Sequence, residues 1–262
     1  MNLDLKGKRA LVCGSSQGIG KAAAQELALM GAEICLLARN ENSLKEVLTE
    51  LDSSSGQEHE YLVADFSKPA ELKQVTDAYF AKGKWINILI NNTGGPPGGL
   101  AIDADVEEFR IAFNNHLINN HQLAQACVPG MKASGYGRIV NVISTSVKAP
   151  LKGLGVSNTV RGAVANWSKT LANELGEFQI TVNNVLPGAT NTLRLESIVE
   201  NKAAKSGKTI DEVSKAMAAQ VPMQRVAEAY EVANAIAFLA SPAASYINGI
   251  NIPVDGGRTP NL

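Results

Sequence analysis

Seven short apolar runs recur along the chain, and nearly every interval between them holds a longer stretch with helical spacing. The runs lie at 9–13, 33–38, 60–64, 86–91, 137–143, 179–186 and 250–254. They lack apolar–polar alternation, so each suits a strand buried on both faces of a parallel sheet. The intervening stretches at 21–30, 42–51, 69–81, 106–131, 157–175 and 228–239 read as helices, the first stopping at Gly31. This pattern predicts an α/β fold: a Rossmann-type, doubly wound, parallel seven-stranded sheet that binds ligands at the carboxyl ends of its strands. One continuous pattern over 262 residues fits a single domain, 1–262. The segment 193–223 is helical but breaks the alternation, and its charged and small residues suggest a substrate lid. The loop Gly94-Gly95-Pro96-Pro97-Gly98-Gly99 follows a strand directly and is expected at the ligand edge.

Charge and cysteine usage narrow the function classes. Charged residues make up 19% with a formal net charge of −1, so nothing electrostatic points to nucleic acid or an anionic membrane as partner. No apolar run is long enough to span a bilayer, and the first residues do not read as a secretory signal. Cys13, Cys35 and Cys127 are scattered without metal-ligand spacing. They are expected to be small core residues in a reducing compartment, which makes the cytoplasm the expected location and leaves no metal site in view.

The turn Gly14-Ser15-Ser16-Gln17-Gly18-Ile19-Gly20 lies between the first strand and the first helix. Glycines there permit a tight turn and let the backbone approach a pyrophosphate, which the free N–H groups of the helix N-terminus then bind. The second strand ends in Arg39, where an NAD site usually places a carboxylate for the ribose hydroxyls. Arginine instead suits a 2′-phosphate, so NADP(H) is favoured over NAD(H), and the Ser15 hydroxyl is expected to add to the same phosphate.

Further motifs follow in order. They are Ala64-Asp65-Phe66, Asn91-Asn92-Thr93-Gly94, Arg138-Ile139-Val140-Asn141-Val142-Ile143-Ser144, Asn184-Val185-Leu186-Pro187-Gly188 with Thr192, and the closing run from Asn248 to Gly257. With the glycine turn, these motifs resemble the short-chain dehydrogenase/reductases, especially the 3-oxoacyl-[acyl-carrier-protein] reductase-like group, over nearly the whole chain. The resemblance implies Asp65 as adenine contact, Asn91, Gly94, Pro187, Gly188 and Thr192 as cofactor neighbours, and Ser144 as a catalytic serine. It also implies a homodimer or homotetramer, built from the helices at 106–131 and 157–175 and the last strand, and a small carbonyl or alcohol substrate.

In that family a tyrosine thirteen residues after the serine gives the carbonyl oxygen its proton, and a lysine four residues later binds the nicotinamide ribose. Counting from Ser144, and back from Lys169-Thr170-Leu171-Ala172, places both ends on Ser157, so the lysine position holds Arg161. A serine hydroxyl is shorter and a far weaker acid than a phenol. Arg161, a permanent cation with several donors, could still hold the ribose. The family's fourth residue, an asparagine, falls on His116, with Asn115 or Asn114 after a small slip. A histidine is a competent acid near neutral pH, although Arg161 nearby would lower its pKa. His116 is therefore the candidate substitute donor or relay. Two functions fit: an NADP(H)-dependent carbonyl reductase with a divergent catalytic tetrad, or a catalytically silent dinucleotide-binding scaffold or sensor.

Overall fold

The computed structural model describes residues 1–261. Seven strands form one sheet: β1 (Arg9–Cys13), β2 (Glu33–Ala38), β3 (Glu60–Val63), β4 (Ile88–Asn91), β5 (Gly137–Val142), β6 (Ile180–Pro187) and β7 (Asn251–Val254). Every neighbouring pair is parallel, in the order β3-β2-β1-β4-β5-β6-β7. The doubly wound, single-domain α/β architecture read from the sequence is the one observed.

Successive residues of a strand point to opposite faces, and here both faces are dry. Ala10, Val12, Ile34, Leu36, Ile88 and Ile90 join one apolar cluster with helices α1 (Gly18–Leu29), α2 (Glu41–Glu50) and α9 (Ala229–Ala240). Leu11, Cys13, Cys35, Leu37, Leu89 and Ile139 join the other, against α3 (Pro69–Phe80), α5 (Asn119–Ser134) and α6 (Gly155–Leu175). This two-sided burial is why the strands show no apolar–polar alternation. The three cysteines are free and buried, and burial raises all three thiols above their usual pKa. No helix among the described residues is long and apolar enough to cross a membrane, and no group of His, Cys, Asp or Glu among them could hold a metal ion.

Two expected elements differ in form. The stretch 106–131 is not one regular helix: α4 (Val106–Phe113) passes into a π-helical turn, Asn114–Ile118, before α5 resumes the α-helical spacing. Apolar periodicity does not register one extra residue in a turn. The lid segment is two helices, α7 (Leu193–Ser206) and α8 (Ile210–Ala218), separated at Gly207 and closed on a small core of Val199, Ala203 and Val213.

Four asparagines cross the buried centre of the sheet in register. Asn91 pairs with Asn141, Asn141 with Asn184, and Asn184 with Asn251 as strand neighbours. Their side chains form a ladder: Asn91 Nδ2 donates to Asn141 Oδ1 (2.8 Å), Asn141 Nδ2 to Asn184 Oδ1 (3.0 Å) and Asn184 Nδ2 to Asn251 Oδ1 (2.8 Å). Asn141→Ala leaves the Asn91 amide and the Asn184 carbonyl unpaired. At about 1–3 kcal/mol per buried orphan, the variant is expected to lose roughly 2–5 kcal/mol of stability, read by urea denaturation.

Candidate active site

The glycine turn is built by close approach. A Cβ on Gly14 would sit 2.5 Å from Asn92 O, and one on Gly20 would collide with Gly14 O. Asn92 Nδ2 donates to Cys13 O and Gly14 O, tying the β4 end to this turn. Gln17 stands in extended conformation at the start of α1 without a side-chain cap, and the first turn holds no acidic residue. The N–H groups of Gly18, Ile19 and Gly20 and the positive helix end therefore have room for an anion. Across the cleft, Thr192 brings its methyl within 3.2 Å of where a Gly18 Cβ would lie.

Ser15 corrects one expectation. It is fully buried, and its Oγ accepts from Leu37 N–H at 3.0 Å, so the hydroxyl locks the turn to β2 and does not face a 2′-phosphate. Asn91 corrects a second: its side chain is buried in the ladder, where it holds β4 to β5. Arg39 is exposed just beyond β2, ahead of Asn40, which caps α2. Asp65 follows β3 and accepts from Ser67 N–H at 2.9 Å. That hydrogen bond, with lesser help from Arg39 and Lys68, holds its carboxyl below the usual range. Arg39 and Asp65 thus share one end of the cleft.

At the other end, β6 closes with Pro187, and Gly188 N–H donates to Val254 O at 2.9 Å. Thr192 caps α7, its Oγ1 accepting from Leu195 N–H. Ser144 follows β5 in extended conformation, half-buried, with its Oγ accepting from Ser146 N–H at 3.1 Å. Ser157 lies in the first turn of α6 and, among the described residues, its hydroxyl has no hydrogen-bond partner. Gly155, at the start of that helix, packs so close to Ala101 that a Cβ would collide with it, which fixes the loop after β4 against α6.

His116 sits in the π-helical turn, 2% exposed, and its Nδ1 meets Thr93 Oγ1 at 2.6 Å. Burial first, then the charges of Arg161 and Arg194, lower its pKa to about 2. His116 is therefore neutral at any working pH. The lowering expected from Arg161 is present, though burial is its larger cause, and the candidate donor or relay is a fixed neutral imidazole. Arg161 is buried, with Nη1 donating to Val142 O at 3.0 Å and Nε unpartnered. Burial, with Arg194 adding to it, lowers this guanidinium to about 10, so it stays cationic at neutral pH. Asn115 borders the same cavity as His116, with its Oδ1 buried and unpartnered. No tyrosine replaces the missing phenol. Tyr61, Tyr79 and Tyr136 bond to Glu41, Glu60 and Ala240 O, while Tyr230 and Tyr246 are exposed outside the cleft motifs.

Two residues of the site escape a motif reading. Thr93 occupies the alanine position of its motif, and the substitution was the only signal of a partner for His116. Arg194 lies in the first turn of α7, where the helix dipole disfavours a cation, and that misplacement was its signal. Its Nη2 donates to Pro96 O at 2.8 Å, joining the lid to the glycine–proline loop.

The sequence and fold match those of known proteins. A family model described as enoyl-(acyl carrier protein) reductase matches residues 14–259. A tropinone reductase homolog of Arabidopsis thaliana is 33% identical over 261 residues, 98% of this chain and 94% of that protein. The crystal structure of L-sorbose reductase from Gluconobacter frateurii, complexed with NADPH and L-sorbose, superposes with a TM-score of 0.93 at 30% identity over 100% of both chains. YwfH, an NADPH-dependent reductase involved in bacilysin biosynthesis, gives 0.91 at 28% identity over 97% of this chain and 99% of its own.

The neutral histidine makes a pH prediction. Unfolded, His116 titrates near 6.5; folded, it titrates near 2. Between those values the unfolded chain binds the extra proton, so the stability from this group is complete above about pH 6.5 and falls as the pH drops. The loss is roughly 1.4 kcal/mol per pH unit at most. His116→Gln is expected to flatten the decline measured by urea denaturation between pH 6.5 and 5. An equally steep decline in the variant rules out His116 as its source.

Proposed function

We infer the function from one premise: this chain belongs to the short-chain dehydrogenase/reductase family. The reading is an NADP(H)-dependent oxidoreductase that reduces a carbonyl compound, 3-oxoacyl-like in the broad sense, with a divergent catalytic site. The observation that carries it is the cofactor cradle: a glycine turn that admits no Cβ at Gly14 or Gly20, an uncapped α1 N-terminus, and Thr192 closing from the opposite side. An NADPH-dependent neighbour and one complexed with NADPH support the same cofactor.

The residues present fit that cofactor. The backbone of Gly14, Gln17, Gly18, Ile19 and Gly20 would hold the pyrophosphate, Arg39 the 2′-phosphate and Asp65 the adenine. Gly94 and Arg161 would border the nicotinamide ribose, with Pro187, Gly188 and Thr192 beside the ring. The unpartnered Arg161 Nε, buried with no acceptor of its own, matches a ribose hydroxyl. When bound, the cofactor supplies a hydride to the carbonyl carbon, and the carbonyl oxygen takes up one proton. Ser144 donates a hydrogen bond to that oxygen. If Thr93 donates to Nδ1, His116 keeps its proton on Nε2 and serves as a neutral donor to the developing oxyanion, a pattern other enzymes use. Water delivers the proton. Without the phenol, turnover is slower by a share of the 10²–10⁴-fold that general acid catalysis typically contributes.

A second reading has its own support. Ser157 has no partner, no tyrosine enters the cleft and His116 is neutral, which is also what a silent dinucleotide-binding scaffold or sensor would show. We further propose assembly as a homodimer or homotetramer through α4 to α5, which exposes Val106, Ile111 and Ile118.

NADPH titration by fluorescence, followed by a carbonyl panel that includes 3-oxoacyl thioesters, separates the readings: binding without turnover on any member favours the scaffold. Arg39→Ala is expected to weaken NADPH roughly 10–100-fold and to leave NADH within about twofold, the scale of one lost charge-assisted phosphate contact. Equal loss for both cofactors removes Arg39 from the 2′-phosphate. Ser157→Tyr combined with Arg161→Lys is expected to raise turnover by about tenfold or more over the parent protein.

A further inference from the structure

Beside the glycine–proline loop lies a cavity of about 280 Å³, lined by Pro96, Pro97, Ile111 and Ala112, with Asn115 and His116 at one side. Its walls are mostly apolar, and two cations that do not themselves line it approach one of its lining residues, Gly95. A methyl placed on Gly95 would sit 3.5 Å from Arg194 Nη2 and 3.7 Å from Arg161 Nη2, so both guanidinium groups reach one face of the loop. Among the described residues neither is paired with a carboxylate. Arg161 spends Nη1 on Val142 O and leaves Nε without an acceptor, although it is 93% buried. Arg194 gives Nη2 to Pro96 O. The one carboxylate lining the cavity, Glu108, is turned to the start of its own helix, where it accepts from Asp105 N–H.

Two guanidinium groups held close together without a counter-ion repel each other, and burying one of them has a desolvation cost that only an acceptor offsets. Among the described residues both have only a backbone carbonyl, and no carboxylate offsets their charge. We propose that the substrate does: it carries a carboxylate that bridges Arg161 and Arg194 at Gly95, with a compact apolar body in the cavity. The planar fork of arginine matches a carboxylate, and two forks fix its direction as well as its charge. This replaces the uncharged 3-oxoacyl thioester, or any neutral ketone, with a short oxo acid as the carbonyl substrate of the proposed reductase, and Arg194 is its specificity-determining residue. Arg161 Nε and Nη2 share one edge of the guanidinium, so the ribose at Nε and the acid at Nη2 would lie side by side. The inference rests on the proposed reductase reading for the location of the substrate cavity. The charge preference itself can be measured without turnover.

The test is calorimetric titration of the NADPH-loaded protein with three oxo acids of rising size, namely pyruvate, 4-methyl-2-oxopentanoate and phenylpyruvate, each against its methyl ester. At least one acid is expected to bind tenfold or more tightly than its ester. In Arg194→Met that acid should fall to the affinity of its ester, the ester should not change, and NADPH affinity should stay within about twofold. Arg194→Lys should recover part of the preference. Arg194 is exposed, so its variants are expected to keep the parent melting temperature. No acid binding better than its ester, whether both bind or neither does, overturns the proposal. So does an Arg194→Met variant that loses NADPH affinity and keeps the acid preference, which would assign this arginine to the cofactor pyrophosphate. The same titrations without NADPH keep the two readings apart: absence of NADPH binding sinks the reductase, while charge discrimination by the free protein stands or falls separately.

Discussion

The asparagine ladder through β4, β5, β6 and β7 sets the position of the half of the cleft that follows those strands. Four amides in register, three buried and Asn251 half-buried, each bonded to the next, tolerate no slip between strands. A one-residue shift of any strand would turn its amide to the opposite face and leave its neighbours unpaired among apolar side chains. The functional residues follow the ladder at short, fixed distances along the chain: Thr93 after Asn91, Ser144 after Asn141, Pro187 after Asn184. Ser168 of α6 hangs from the same network through Asn141, so the helix carrying Ser157 and Arg161 is referenced to it as well. A polar spine inside an apolar sheet is costly unless fully satisfied, and here one atom, Asn91 Oδ1, remains unpartnered at its end.

On this frame the site separates into two halves with different chemistry. The glycine turn, Arg39 and Asp65 form the half proposed to bind the cofactor, made of backbone donors and surface charge. The half around Arg161, Arg194, His116 and Ser157 carries net positive charge, no phenol and a histidine that cannot accept a second proton. The replacement of lysine by arginine explains part of this. A guanidinium stays charged when buried, where an ammonium would more readily lose its proton, and its field helps to keep the imidazole neutral. Such a half is suited to attract and stabilise negative charge, whether on a bound acid or on a developing oxyanion.

What could be read from the sequence follows from the range of the forces involved. The strands, the glycine turn and the placement of Ser157 and Arg161 depend on local patterning and spacing, and they stand where they were expected. Ser15 was misassigned because its hydroxyl faces β2, a contact 22 residues away that no local pattern encodes. Asn91 was read as a cofactor neighbour because the ladder only exists once four distant segments align. The ionisation of His116 depends on burial and on Arg194, which arrives from the lid. Local sequence thus fits the strands and the turn, and non-local packing sets the charge around the candidate site.

The π-helical turn has a consequence for how this chain can change. It contributes one residue more than an α-helical turn would, so it rotates α5 by about 100° relative to α4. Ala112, with Phe109 and Phe113, meets Val156 and Val160 of α6, while Leu123, Ala124, Cys127 and Met131 meet the sheet. Those two faces are aligned only while the extra residue is present. Deleting any single position here would force a choice between the seam with α6 and the core beneath α5. A stretch that looks like an ordinary surface helix is therefore closed to insertions and deletions, and variation at the mouth of the cleft is left to the loops and the lid.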